Sequence, residues 1–174
     1  MKQTILILIV SLFCCCNKPN NKEEYFDKTA EKFALLVLSE NRIGQQYTME
    51  CDSIGGFFSY ETTFIGKIKN SKENNLDFVF YNIYFGIYKD SPKASSRILI
   101  FKKKKLWGYY YLGGENEIPT INGSDLIFFP DKPDCNLTTA ISFRDSIPQQ
   151  IFIKCRNENE NISGDLFSFY KIMQ

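Results

Sequence analysis

The chain predicts an α+β fold dominated by strands: one N-terminal amphipathic helix, then an antiparallel meander of about seven to nine strands forming a half barrel, a barrel or a sandwich. Three patterns carry this expectation. Apolar residues recur at helical spacing between residues 22 and 44, alternate with a period of two in the segments that follow, and are punctuated by short polar, Gly- or Pro-containing turns.

At the start of the chain, Lys2 precedes an apolar run from Ile5 to Phe13 that ends in Cys14, Cys15 and Cys16. The run is too short for a bilayer-spanning helix, which needs about 20 apolar residues. The layout resembles a bacterial lipoprotein signal peptide, in which the segment is removed and a cysteine is acylated as the new N-terminus. Cys15 fits the acylated position best, with Leu12 three positions before it and Cys14 directly before it. Phe13 stands where a small residue is usual, so Cys14 and Cys16 stay open as alternatives. The resemblance implies a signal peptide over residues 1–14 and a lipidated cysteine with a polar tether over 15–21. A single globular domain follows over 22–174. It also implies a protein lipid-anchored at the bacterial cell envelope, facing the periplasm or exposed on the outer membrane. The abundance of Asn, Lys, Ile, Phe and Tyr is similar to that of lipoproteins from AT-rich Bacteroidota.

From Lys22, the stripe Phe26, Ala30, Phe33 and Val37 is helical, widened by Tyr25, Leu36 and Leu38. Asn21 is positioned as its cap, and Gly44 lies where a left-handed stop is expected. The stripe suits packing on a sheet.

The first strand pattern, Phe57 to Lys69, sets Phe58, Tyr60, Phe64 and Ile68 on one face and Ser59, Glu61, Thr63 and Lys67 on the other. Phe78 to Tyr88 is apolar on both faces, the signature of a central strand or of one whose aromatic face lines a cavity. Phe78, Phe80, Tyr84 and Tyr88 are accordingly the candidate ligand or partner face. Arg97 to Phe101 and Leu106 to Tyr111 form a hairpin, in which a turn at Lys103 and Lys104 pairs Phe101 with Leu106 and Ile100 with Trp107. Its four lysines are read as a solvated tip. Pro119 to Asp125 is expected as a loop, followed by strands at Leu126 to Phe129, Leu137 to Phe143, Gln150 to Arg156 and Asp165 to Ile172.

The chemistry is defined mainly by what is missing. The chain has no histidine, which removes Ser-His-Asp and Cys-His machinery and the commonest metal ligand. No nucleophile elbow, phosphate loop or dinucleotide fingerprint occurs, so no catalytic, cofactor-binding or metal-binding residue is assigned and no enzyme activity or cofactor is expected. Glu50 with Asp52 and Glu115 with Glu117 are spaced for a carboxylate pair, but such acids are common on solvated strands. Lys and Arg number 21 against 20 Asp and Glu, and Lys2 departs with the signal, so no net field favours nucleic acid.

Outside the signal and the Cys14–Cys16 cluster only Cys51, Cys135 and Cys155 remain. In an oxidising envelope Cys135 and Cys155 are the expected disulfide, because they flank one hairpin. The other two pairings, and three thiols, stay open. The functional expectation is a non-enzymatic binding module, of the type of inhibitor or immunity lipoproteins, with the membrane as one partner and an envelope or secreted protein as another. A barrel-like carrier of a small apolar ligand is the alternative, and a carboxylate-dependent hydrolase ranks behind it.

Overall fold

The computed structural model describes residues 28–53, 56–72, 74–130, 137–156 and 162–172. Helix α1, Lys28–Glu40, is rich in Ala, Leu, Lys and Glu, which keep side-chain freedom in a helix. Ala30, Ala34, Val37 and Leu38 are its buried residues, and the two alanines let the helix axis approach the sheet closely. Leu36, expected in the stripe, is exposed instead, and Ala34 takes the central place. The helix ends earlier than Gly44. Asn41 adopts the left-handed conformation (φ 53°) and its N–H donates to the Leu38 carbonyl at 3.3 Å, closing the last turn. Gly44 is also left-handed (φ 77°), but it serves the entry to the first strand and donates to the Phe64 carbonyl at 2.9 Å. The expected cap at Asn21 lies outside the described residues.

Among the described residues ten strands follow: β1 Gln46–Ser53, β2 Gly56–Lys69, β3 Asn75–Gly86, β4 Lys93–Lys102, β5 Lys105–Gly113, β6 Thr120–Asn122, β7 Asp125–Phe128, β8 Thr139–Ser142, β9 Gln150–Arg156 and β10 Ile162–Lys171. Only the first five form the expected meander. The large antiparallel sheet runs β1-β2-β3-β4-β5-β10-β9, while β6-β7-β8 make a separate three-stranded sheet. Residues 120–122, expected as loop, are a short strand, because left-handed Gly123 (φ 61°) and Ser124 make a two-residue turn that pairs Asn122 with Asp125. The large sheet has two edges, β1 and β9, so it is not closed; the arrangement is a half barrel or sandwich.

Two cores lie on opposite faces of this sheet. On one, α1 covers Tyr60, Phe64, Val79, Tyr81, Leu99 and Phe101. On the other, Leu126 and Phe128 of the small sheet, with Phe143, cover Phe78, Phe80, Ile98, Ile100 and Tyr110. This explains the doubly apolar pattern of β3 and β4, since every residue from Phe78 to Tyr81 and from Ile98 to Phe101 is buried. Each such aromatic or aliphatic side chain contributes about 1.5–3 kcal/mol on burial.

Two of the three register shifts among the described residues of the large sheet bear on the sites below. In β2 the register with β3 shifts between Phe64 and Gly66, leaving Ile65 as the extra residue. Before it, Tyr60 and Phe64 point to the helix; after it, Ile68 joins the opposite core, so the single apolar face expected for this strand is divided between the two layers. At the β4–β5 hairpin, Lys103 and Lys104 are both left-handed (φ 52° and 60°), the geometry of a type I′ turn. That conformation costs about 1–2 kcal/mol per residue, which burial of the paired Phe101 and Leu106 offsets. Ile100 faces Gly108 rather than Trp107, because a second bulge makes Trp107 the extra residue.

Candidate functional site

The aromatic residues of β3 do not form one surface. Phe78 and Phe80 are buried in the core beneath the small sheet, with the Phe78 ring edge-on to Phe143 at 4.9 Å between centroids. Tyr84 is half-buried further along the strand, and Tyr88 lies beyond the strand end and is exposed. The core around Phe78 is filled by Phe80, Tyr110, Leu126, Phe128 and Phe143, and Tyr110 donates its hydroxyl proton to the Pro148 carbonyl. A closed, ligand-lined barrel is therefore not what this strand builds.

Tyr84 instead belongs to an open cleft of about 290 Å³ at the β1–β2–β3 end of the sheet, lined also by Glu50, Asp52, Phe57, Glu61 and Lys89. The register places Glu50 opposite Ser59 and Asp52 opposite Phe57, so the two acids do share a strand face. Both reach Lys89, at 3.7 and 3.4 Å, and all three side chains are well exposed. The Tyr84 hydroxyl donates to Glu115 at 2.9 Å and lies 3.5 Å from Glu61. Burial, followed by the Glu115 hydrogen bond and the two carboxylate charges, pushes the phenol pKa up, making Tyr84 a neutral donor rather than a nucleophile. Glu117 is exposed in the loop after β5 and does not join Glu115 on a strand. The result is a solvated acidic rim rather than a converging pair.

At the opposite end of the same sheet face lies a second cleft, of about 270 Å³, around Trp107. Lys102 and Lys171, on the strands flanking β5, place their ammonium groups 5.2 and 4.8 Å from the centre of the indole. Lys72, Asn74, Asp145 and Gln149 complete the polar wall, and Leu76, Ile147 and Phe169 the apolar floor. In the sequence the lysines read as a solvated tip and Trp107 as a ladder residue opposite Ile100, a place that the bulge gives to Gly108 instead.

The helix-bearing face offers a third feature. The core cluster that packs against the helix draws on β2–β5 and includes no residue of β9 or β10. There Tyr111, Phe152, Leu166 and Tyr170 are 44, 39, 58 and 52 % exposed. Phe152 pairs directly with Leu166, and Tyr170 stacks on Tyr109 at 5.3 Å. The Arg97 guanidinium lies 5.2, 5.5 and 6.0 Å from the rings of Tyr109, Tyr111 and Tyr81, tying this patch to the helix-side core.

Cys155 is disulfide-bonded, and Cys51 carries a thiol rather than a disulfide sulfur. Cys135, its expected partner, lies outside the described residues, as does the lipidation candidate Cys15. Among the described residues, no group of three or more Cys, Asp or Glu is placed to hold a metal ion, and no helix is long and apolar enough to cross a membrane.

The fold and these surfaces define a strand-dominated α+β protein whose large open sheet is covered by one helix on one face and by a small sheet on the other. Comparison with protein-family models, curated proteins and solved structures finds no match.

Proposed function

We propose that the protein is a non-enzymatic binding module, held at the bacterial envelope by a lipid on Cys15, whose partner is a folded envelope or secreted protein. The observation that carries this reading is the patch formed by Tyr111, Phe152, Leu166 and Tyr170. Soluble surfaces bear scattered apolar residues, but an exposed Phe152–Leu166 cross-strand pair and a Tyr170–Tyr109 stack on one sheet face, with Arg97 beside Tyr109 and Tyr111, have the composition of a protein interface. The tightly filled core beneath the small sheet favours surface binding over carriage of an apolar ligand inside.

The test has two arms. Replacing Cys15 with serine releases the protein from the membrane fraction or leaves it unprocessed, and abolishes lipid labelling; labelling that persists assigns the anchor to Cys14 or Cys16. In the second arm, Leu166→Asp with Tyr170→Asp leaves the melting temperature close to that of the parent but removes the protein that cross-links to the domain on intact cells. Unchanged cross-linking by a folded double variant would exclude this face as the binding surface.

A further inference from the structure

We propose that the cleft around Trp107 is a binding site for a small anionic saccharide, whose acidic group is held by Lys102 and Lys171 and whose ring lies against the indole. This site is on the other side of the sheet from the apolar patch and stands or falls independently of it.

The argument begins with charge. The chain as a whole is balanced, but three ammonium groups, Lys72, Lys102 and Lys171, line this cleft against one carboxylate, Asp145. None of the three lysines is in an ion pair among the described residues, whereas Lys67 and Lys89 elsewhere are paired with acids at 3.4–3.7 Å. Lys102 and Lys171 are restrained by the indole instead. A cation–π contact positions an ammonium without neutralising it, so the charge is left for a ligand. An anion beside these ammonium groups gains charge-assisted hydrogen bonds at the wall of this open cleft.

The rest of the wall selects the body that carries the anion. Asn74 and Gln149 present side-chain amides, each both donor and acceptor, and Ser146 adds a hydroxyl; these match the alternating needs of sugar hydroxyls. Trp107, Leu76 and Phe169 provide the flat apolar surface on which the C–H face of a pyranose packs. The recess of about 270 Å³ suits one or two sugar rings and is too small for a peptide segment of defined secondary structure. The bulge is what makes this possible: in a regular ladder, residue 107 would face Ile100, in the position taken by Gly108.

Trp107 is the only tryptophan in the chain, so its fluorescence reports on this cleft without interference. Glucuronic acid, glucose, inorganic phosphate and vesicles containing an anionic phospholipid are titrated separately into the mature domain, at low and at high salt. Saturable quenching or enhancement by glucuronic acid that weakens with salt, with glucose and phosphate each binding at least about tenfold more weakly, is the expected result. Lys102→Ala with Lys171→Ala loses the response by a further factor of about ten or more, while Lys103→Ala, at the hairpin tip outside the cleft, keeps it. Circular dichroism and melting of each variant establish that the fold is retained. Phosphate binding as tightly as the acidic sugar, a response to vesicles alone, no saturable response to any probe, or a response that survives loss of both lysines would each overturn the proposal.

Discussion

The ring of Phe169 occupies the space that a side chain on Gly108 would need. Gly108 lies opposite Lys171 in the β5–β10 pairing, and the Tyr170 carbonyl oxygen is 2.5 Å from where a Cβ at residue 108 would stand. The close approach of the last strand to β5 therefore depends on the absence of a single carbon atom.

Gly108→Ala should destabilise the domain by about 1–3 kcal/mol, the range for overpacking a close-packed site. Adding Phe169→Ala should not rescue it, because the clash with the Tyr170 backbone persists. Urea denaturation of the two variants checks this, and a Gly108→Ala domain as stable as the parent refutes it.

The β3 residues separate packing from surface. Phe80→Ala removes a fully buried ring and should cost about 3–5 kcal/mol, whereas Tyr84→Phe, at a solvent-facing hydrogen bond, should cost less than about 1 kcal/mol. Thermal or chemical unfolding of both variants tests the difference in one series.

How far the sequence discloses this fold is clearest in the same strand. The unbroken apolar run from Phe78 to Tyr81 reads as a central strand or a cavity-lining one, and the structure buries it on both faces. Strand β9 likewise stands where its pattern places it, at Gln150–Arg156. Bulges are illegible, because one extra residue leaves no mark in a period-two pattern: Ile65 divides the face of β2 and Trp107 leaves the ladder, although both look like ordinary strand residues. The partner of a strand is equally hidden. Nothing in Leu126 to Phe128 says that it joins a second sheet rather than continuing the first. The Trp107 cleft was invisible for this reason, since its residues come from distant turns and strand ends joined only by the fold.

Burial pushes the phenol pKa of Tyr110 up, and its hydroxyl is committed to the Pro148 carbonyl. A raised pKa in the folded state means that the neutral phenol is favoured by folding. Its contribution is complete below the unfolded value of about 10 and declines as the pH rises above it. The stability of the parent should therefore fall between about pH 9 and 11 more steeply than that of Tyr110→Phe, which at neutral pH pays only about 0.5–1.5 kcal/mol for the lost hydrogen bond. Equal slopes for the two proteins would contradict this.

Non-reducing peptide mapping should find Cys155 cross-linked to Cys135, with Cys51 alkylated after unfolding without reductant. The bridge would enclose a loop of roughly 20 residues, worth about 3 kcal/mol in the chain-entropy model, so reduction should lower the unfolding midpoint accordingly. A bridge from Cys155 to any other cysteine refutes the pairing.

The position of β10 bears on how the molecule is made. It is the last strand in sequence, yet it lies inside the large sheet, between β5 and β9, and meets β5 only through Phe169–Lys171. A chain still emerging from a ribosome or a translocation channel cannot supply it until the residues through Lys171 have passed. Until then β5 is an unprotected edge, and the pairing that covers it spans some sixty residues, a slow kind of closure. Biogenesis thus has a vulnerable interval between the arrival of β5 and that of β10, when a neighbouring chain's strand competes with the molecule's own, and shielding of β5 by a chaperone would matter more than for a meander that completes itself strand by strand.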